Sequence, residues 1–199
     1  MPTIVLASQS TSRRRLLEGA GITPLIKVSH VDEETDFFNA MAPADMVIAL
    51  AVTKAHTVRE QIDFPAIIIG CDSTFEFEGK SLGKPGSYEN AIQRCKQLSG
   101  KSGLLHTGHC AIDLRSGKEV SKLSTSKVQF AQMTDEEITD YVNSGEPLNV
   151  AGGFTLDGLS APYISSIEGE PSGIIGLSLP LLRMMIISLG YTWPELKNK

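Results

Sequence analysis

The chain is poor in the features that mark the commonest nucleotide and metal folds. It has no Gly-x-x-x-x-Gly-Lys-Ser/Thr run and no Gly-x-Gly-x-x-Gly, which removes the P-loop and the dinucleotide fingerprint. Its cysteines are three, Cys71, Cys95 and Cys110, an odd number without Cys-x-x-Cys spacing. That excludes a disulfide framework and points to a reducing compartment. No apolar run is long enough to span a bilayer, since the stretch 177–189 is short and interrupted by Pro180 and Arg183. The apolar run 3–7 is too short for a secretory leader and arginines follow it, so a soluble, cytoplasmic protein is expected. Positive charge is also scarce. A net charge of −5 gives no general attraction to nucleic acid or to an anionic membrane, so neither is an expected partner. Any polyanion must be met by local cations.

What is present alternates between periods. With 199 residues, the chain suffices for one core with a second lobe, and no linker or repeat divides it, so 1–199 is read as a single domain. Short apolar runs at 3–7, 24–29 and 66–71 read as strands, the last continuous enough to be buried. Helical spacing occupies 11–20, 43–60 and a stretch opened by Ser87. A hairpin is expected to turn at Glu78-Gly79, and two longer strands, 103–114 and 119–131, meet at Ser116-Gly117. Thr134 to Glu137 has the form of a capping box, and a last helix begins near Ser178 and ends at Gly190. The order is that of an α/β protein. The glycine-rich stretch 145–176 reads as a long connection, and such connections in compact domains usually serve function.

The residues Ser8 to Leu17 carry the first chemical signal. A strand passes through a hydroxyl-rich loop, with Ser8 and Ser10, into a helix whose first turn holds Arg13, Arg14 and Arg15. Cations oppose the positive end of the helix dipole, by about 0.3–1 kcal/mol each. Free N–H groups and the dipole attract phosphate there; the alternative is an ordinary Ser/Thr cap followed by a solvated basic turn. Arg13 lies three and four residues before Leu16 and Leu17 and shares their inward face, whereas Arg14 and Arg15 look outward.

Lys54 is the second signal. On a helical wheel it falls between Leu50 and Val47, inside an apolar arc with Ala51, Ala55 and Val58. It either snorkels out along its stem or points into a cleft that needs a cation. Asp72 closes the buried run 66–71, where α/β proteins place ligands, or else it caps the turn that follows. Gly83-Lys84-Pro85 puts a lysine on a stiff turn, and Glu33 lies in an acidic loop after the second strand. Taken together these are hydroxyls, Arg13, Lys54 and Lys84 for phosphates, with Glu33 and Asp72 for Mg²⁺ or Mn²⁺. His106 and His109 fall on opposite faces of one strand, which argues against a zinc site.

These positions occur in an order that resembles the Maf nucleotide pyrophosphatases, relatives of the inosine-triphosphate pyrophosphatases. The matching residues are Ser8, Ser10, Arg13 and Leu16-Leu17, then Asp32-Glu33, Lys54-Ala55, Gly70-x-Asp72, Gly83-Lys84-Pro85, His106-Thr-Gly108 and Ala151-Gly-Gly-Phe154. The resemblance implies a two-lobed α/β fold with a mixed sheet and a cleft between the lobes. It also implies a cytoplasmic, commonly dimeric enzyme that uses a divalent cation to hydrolyse a nucleoside triphosphate to monophosphate and pyrophosphate. By the same resemblance Ser8, Ser10, Arg13, Glu33, Lys54, Asp72 and Lys84 are the functional positions, with Asp72 as general base. The family's association with septum formation leaves a non-catalytic nucleotide-binding regulator as the alternative. Two departures stand out. Asp157 occupies a position where one branch has glutamine, which leaves the base open while keeping Asp157 a substrate-binding candidate. Ser178 stands where proline is common.

Overall fold

The computed structural model describes residues 2–197. β1 (Thr3–Leu6) leads into α1 (Thr11–Gly19), and β2 (Leu25–Ile26) returns beside it. α2 (Asp36–Asn39) and the long α3 (Pro43–Arg59) precede β3 (Ala66–Phe77), which turns through Glu78 and Gly79, both at positive φ, into β4 (Lys80–Leu82). α4 (Tyr88–Leu98), β5 (Ser102–Asp113), β6 (Glu119–Phe130) and α5 (Asp135–Asn143) follow. Beyond short 3₁₀ turns come β7 (Ile164–Glu168), α6 (Pro171–Ile175), α7 (Leu179–Leu189) and α8 (Trp193–Leu196). No helix among the described residues is long and apolar enough to cross a membrane.

All seven strands among the described residues belong to one mixed sheet, ordered β2-β1-β3-β5-β6-β7 with β4 beside the end of β3. β1 is parallel to β2 and β3, and the remaining pairs are antiparallel. The α/β class read from the sequence is therefore correct, and four local expectations need revision. The strand expected over 24–29 shrinks to two residues, because it lies on the sheet edge with β1 as its one partner. The stretch 145–176 is not a plain connection, since it contains β7 and α6; two isoleucines among two serines and a glutamate give β7 too little alternation to be read. The tail around Trp193 is a short capped helix, too brief for periodicity to reveal.

The most consequential revision concerns β3. The sequence suggests a buried strand ending at residue 71 and a separate hairpin, yet one strand runs unbroken through twelve residues. Its first four residues pair with β1, and its last three pair with β4. Between them, residues 70–74 have β5 on one side and no strand on the other. Asp72 sits in the middle of this open edge and closes no strand.

Core packing explains how the edge becomes a cleft. α3 covers one face of the N-terminal half of the sheet through Ala51, Ala55 and Val58 against Val5, Ile68 and Ile112. α1 and α7 cover the other face, with Leu17, Leu182 and Ile186 against Leu6, Ile67 and Ile69. A separate core forms at the far ends of β3, β5 and β6 around Phe75, Phe130 and Phe154. These rings meet edge to face with centroids 5.0–5.8 Å apart, each pair worth about 0.5–1.5 kcal/mol beyond its burial. The packing on both faces of the N-terminal half of the sheet forms one lobe and the aromatic core the other, and the unpaired stretch of β3 passes between them.

Two glycines set the height of α3 above the sheet. A Cβ on Gly70 would lie 2.1 Å from the Ala51 carbonyl oxygen, and one on Gly108 would lie 2.2 Å from that of Val47. No L side chain fits at either place, so the helix backbone rests directly on β3 and β5.

Candidate active site

α1 begins at the cleft. Ser10 is its N-cap and accepts from the Arg13 N–H at 3.3 Å, while Ser8 Oγ accepts from the Ser10 N–H at 3.2 Å. The N–H groups of Thr11 and Ser12, which also line the cleft, have no acceptor among the described residues. No acidic residue stands in this first turn, in contrast to α5, whose first turn holds three. The loop thus keeps an uncompensated positive helix end beside two hydroxyls.

Arg13 is turned inward and Arg14 and Arg15 are exposed, as their faces predict. The guanidinium, however, is largely engaged by the protein. Nε donates to the Gly176 carbonyl at 2.8 Å, Nη1 to the Cys71 carbonyl at 2.9 Å and to Ser8 Oγ at 3.2 Å, and Nη2 to Ser73 Oγ at 3.0 Å. Four of its five donors are satisfied, so a bidentate grip on phosphate does not fit this arrangement. Arg13 instead satisfies a carbonyl on the open edge of β3 and ties the two lobes together.

Lys54 does not snorkel. It is 6% exposed, and its Nζ lies 2.6 Å from Asp72 Oδ1 and 2.7 Å from a Glu33 carboxylate oxygen. The glycine contacts of α3 produce this reach. Burial raises the Asp72 pKa above the ordinary carboxylate value, opposed by the Lys54 and Arg13 charges, and Glu33 raises it further. A carboxylate with a raised pKa is a stronger base. Asp72 is 11% exposed at its side chain and Glu33 51%, so Glu33 is the partner free to move.

Ser8, Ser10, Arg13, Glu33, Lys54, Asp72, Lys84 and Asp157 all line one cleft of about 640 Å³. Lys84 is exposed on its turn and makes no ion pair among the described residues, and Asp157 is also exposed along the cleft. A second recess of about 760 Å³ meets the first along Glu33, Asp72, Ser73, Lys84 and Ala151. Among the described residues no cluster of three His, Cys, Asp or Glu side chains could hold a metal. Mg²⁺ needs fewer, one or two carboxylates completed by water and phosphate oxygens. Glu33 and Asp72 converge on the Lys54 ammonium, which fills the position between them, so a divalent cation would bind through their remaining oxygens.

Sequence reasoning missed four residues. Ser73 and Thr107 join β3 to β5 and to α6. Glu146 accepts from Tyr141, Thr155, Leu159 and Ser160 and so shapes the loop that carries Phe154 and Asp157. Glu170 caps α6 through Ser172 and Gly173. The available signal was the polar triplet Asp72-Ser-Thr74 inside an apolar strand, with no glycine or proline to end it. The histidines do diverge: His106 pairs with Glu76 and Thr125, while His109 Nε2 accepts from the Ser178 N–H at 2.9 Å. A proline at 178 could not make that bond, so Ser178 ties the start of α7 to β5. Cys71 and Asp72 face opposite ways, and burial pushes the Cys71 thiol up to about 11, which leaves it inert.

A family model described as Maf-like protein matches residues 3–189. The chain belongs to the Maf family. Among the relatives of this Maf chain is a protein of Streptomyces coelicolor, 48% identical over 194 residues, covering 97% of this chain and 93% of that one. One of Thermosynechococcus vestitus is 47% identical over 199 residues and the full length of both. Each bears the name nucleoside triphosphate pyrophosphatase. A solved dITP/XTP pyrophosphatase of Mycobacterium abscessus aligns at a TM-score of 0.36 and 12% identity, over 80% of this chain and 93% of that one. Membership rests on the sequence matches.

Proposed function

We propose that this Maf-family chain is a hydrolase that cleaves a nucleoside triphosphate to the monophosphate and pyrophosphate. The observation that carries the reading is the Glu33–Lys54–Asp72 cluster, which lies between an anion-ready helix start and the exposed Lys84 in one cleft. The matched relatives' names support the same activity.

In the reaction, a water oxygen attacks the α-phosphorus, the bond from that phosphorus to the bridging oxygen breaks, and pyrophosphate leaves. Asp72, made more basic by burial, takes the water's proton. Lys84 and the free N–H groups of Thr11 and Ser12 meet the phosphate charge, and Ser8 and Ser10 hold the loop in shape. Lys54 keeps the two carboxylates in register and supplies a cation near the developing charge. Asp157, exposed in the cleft lining, would contact the nucleoside. Glu33 and Asp72 would hold a divalent cation, which neutralises phosphate charge when bound. We assign the enzyme to the cytoplasm and to a homodimer on its family resemblance.

The deciding experiment is pyrophosphate release from a panel of standard and modified nucleoside triphosphates, with and without Mg²⁺ or Mn²⁺. Metal-dependent release from at least one nucleotide is expected. Nucleotide binding without turnover across the panel would instead indicate a regulator.

A further inference from the structure

We infer that Thr107 is a positioning residue, whose hydroxyl closes a directional ring of hydrogen bonds locking Asp72's strand to the α6 wall of the cleft. Thr107 is fully buried on β5, directly opposite Ser73 in the strand register. Its hydroxyl lies 2.7 Å from the Gly173 carbonyl oxygen, which can only accept, so Thr107 must be the donor there. The single proton is then used, and in the 2.9 Å contact with Ser73 Oγ the serine must donate. Ser73 Oγ in turn accepts from Arg13 Nη2. The direction of every bond is therefore fixed, running from Arg13 through Ser73 and Thr107 to Gly173.

The other end closes on itself. Arg13 Nε donates to the Gly176 carbonyl, three residues beyond Gly173 along α6 and its cap. Two carbonyls of one short helical turn are thus held by opposite ends of the same chain. Arg13 Nη1 also holds the Cys71 carbonyl, so the ring grips β3 at residues 71 and 73, on either side of Asp72. The α6 residues Ile174 and Ile175 line the cleft from the other lobe. A five-residue helix has too few internal bonds to fix itself, and the ring supplies what its length does not. Thr107 does not line the cleft, and acts through Ser73 and Gly173.

The kinetic arm rests on the pyrophosphatase reading; a second arm does not. Thr107→Val preserves shape and deletes the hydroxyl, and Thr107→Ser keeps it. In Thr107→Val, hydrogen–deuterium exchange of the Gly176 and Leu177 amides should accelerate at least tenfold, and kcat/KM for the preferred nucleotide should fall roughly 10- to 100-fold. Thr107→Ser should return both to within about threefold of the parent. Unchanged amide exchange in Thr107→Val overturns the ring. Faster exchange with unchanged kcat/KM overturns the positioning role, as does a serine variant as impaired as the valine one. A parent chain inactive on every nucleotide would refute the pyrophosphatase reading and leave the ring to be judged on exchange.

Discussion

Two cationic regions face the cleft, and they are built on opposite principles. Around Arg13 nearly every donor meets a protein acceptor, and the group is fixed between the Ser8 loop, β3 and the end of α6. Around Lys54 one ammonium is shared by two carboxylates, one of them half in solvent, so partners can exchange without the fold changing. The difference separates positioning from reaction. A side chain with saturated donors holds geometry, whereas one with replaceable partners can respond to substrate.

The comparison can be broken from the reactive side first. Asp72→Asn should lower kcat by about 10²–10⁴-fold while the fold is retained, since it removes the base and keeps the shape. Steady-state pyrophosphate release read beside circular dichroism checks both halves. Lys54→Met should destabilise the chain by about 3 kcal/mol in urea titration, because it leaves Asp72 buried without its partner. It should also move the acid limb of the pH–rate profile to higher pH, since Lys54 is the largest influence holding the Asp72 pKa down.

The fixed side breaks by pH from behind. His109 lies against the N-terminus of α7, and burial together with the Arg13 charge lowers its pKa to about 4. The unfolded chain takes that proton near 6.5, so His109 contributes stability that is whole above pH 6.5 and is lost as pH falls towards 4. The loss amounts to about 3 kcal/mol across that window. His109→Gln, which retains an acceptor for the Ser178 N–H, should flatten this part of a stability–pH curve. Arg13→Lys should cost about 2 kcal/mol, because an ammonium cannot span four divergent acceptors. Its kcat/KM should fall roughly tenfold, with the denaturation midpoint and kinetics measured on one preparation. The smallest effect belongs to Lys84→Ala: a KM rise of about tenfold, or about 1.4 kcal/mol, with no change in melting temperature. A comparable stability loss in Lys84→Ala would show that Lys84 too is held by the fold.

How much of this was legible depended on where the information lay. The helices α1, α3 and α5 announce themselves through caps and periodicity, and Arg13's inward face followed from its spacing to Leu16 and Leu17. Lys54 was visible as a charge inside an apolar arc. Its partners were not, because the meeting of α3 with β3 depends on contacts between residues far apart in the chain. Arg13's true acceptors, Cys71 and Gly176, are backbone carbonyls, and no side-chain pattern records them. Asp72's place failed for a simpler reason. A buried strand with a polar triplet resembles a strand that has ended, and the missing neighbour that permits those polar residues is a property of the sheet.

Gly70 and Gly108 carry one more consequence. Coulomb attraction falls with distance, and the spacing between Lys54 and Asp72 is fixed by how low α3 rides. What holds that spacing is the absence of two methyl groups, one of them on a strand that contributes nothing charged to the pair. The basicity of Asp72 is therefore a mechanical quantity as well as a chemical one. A substitution that raised the helix would retune it continuously, with every titratable residue still in place.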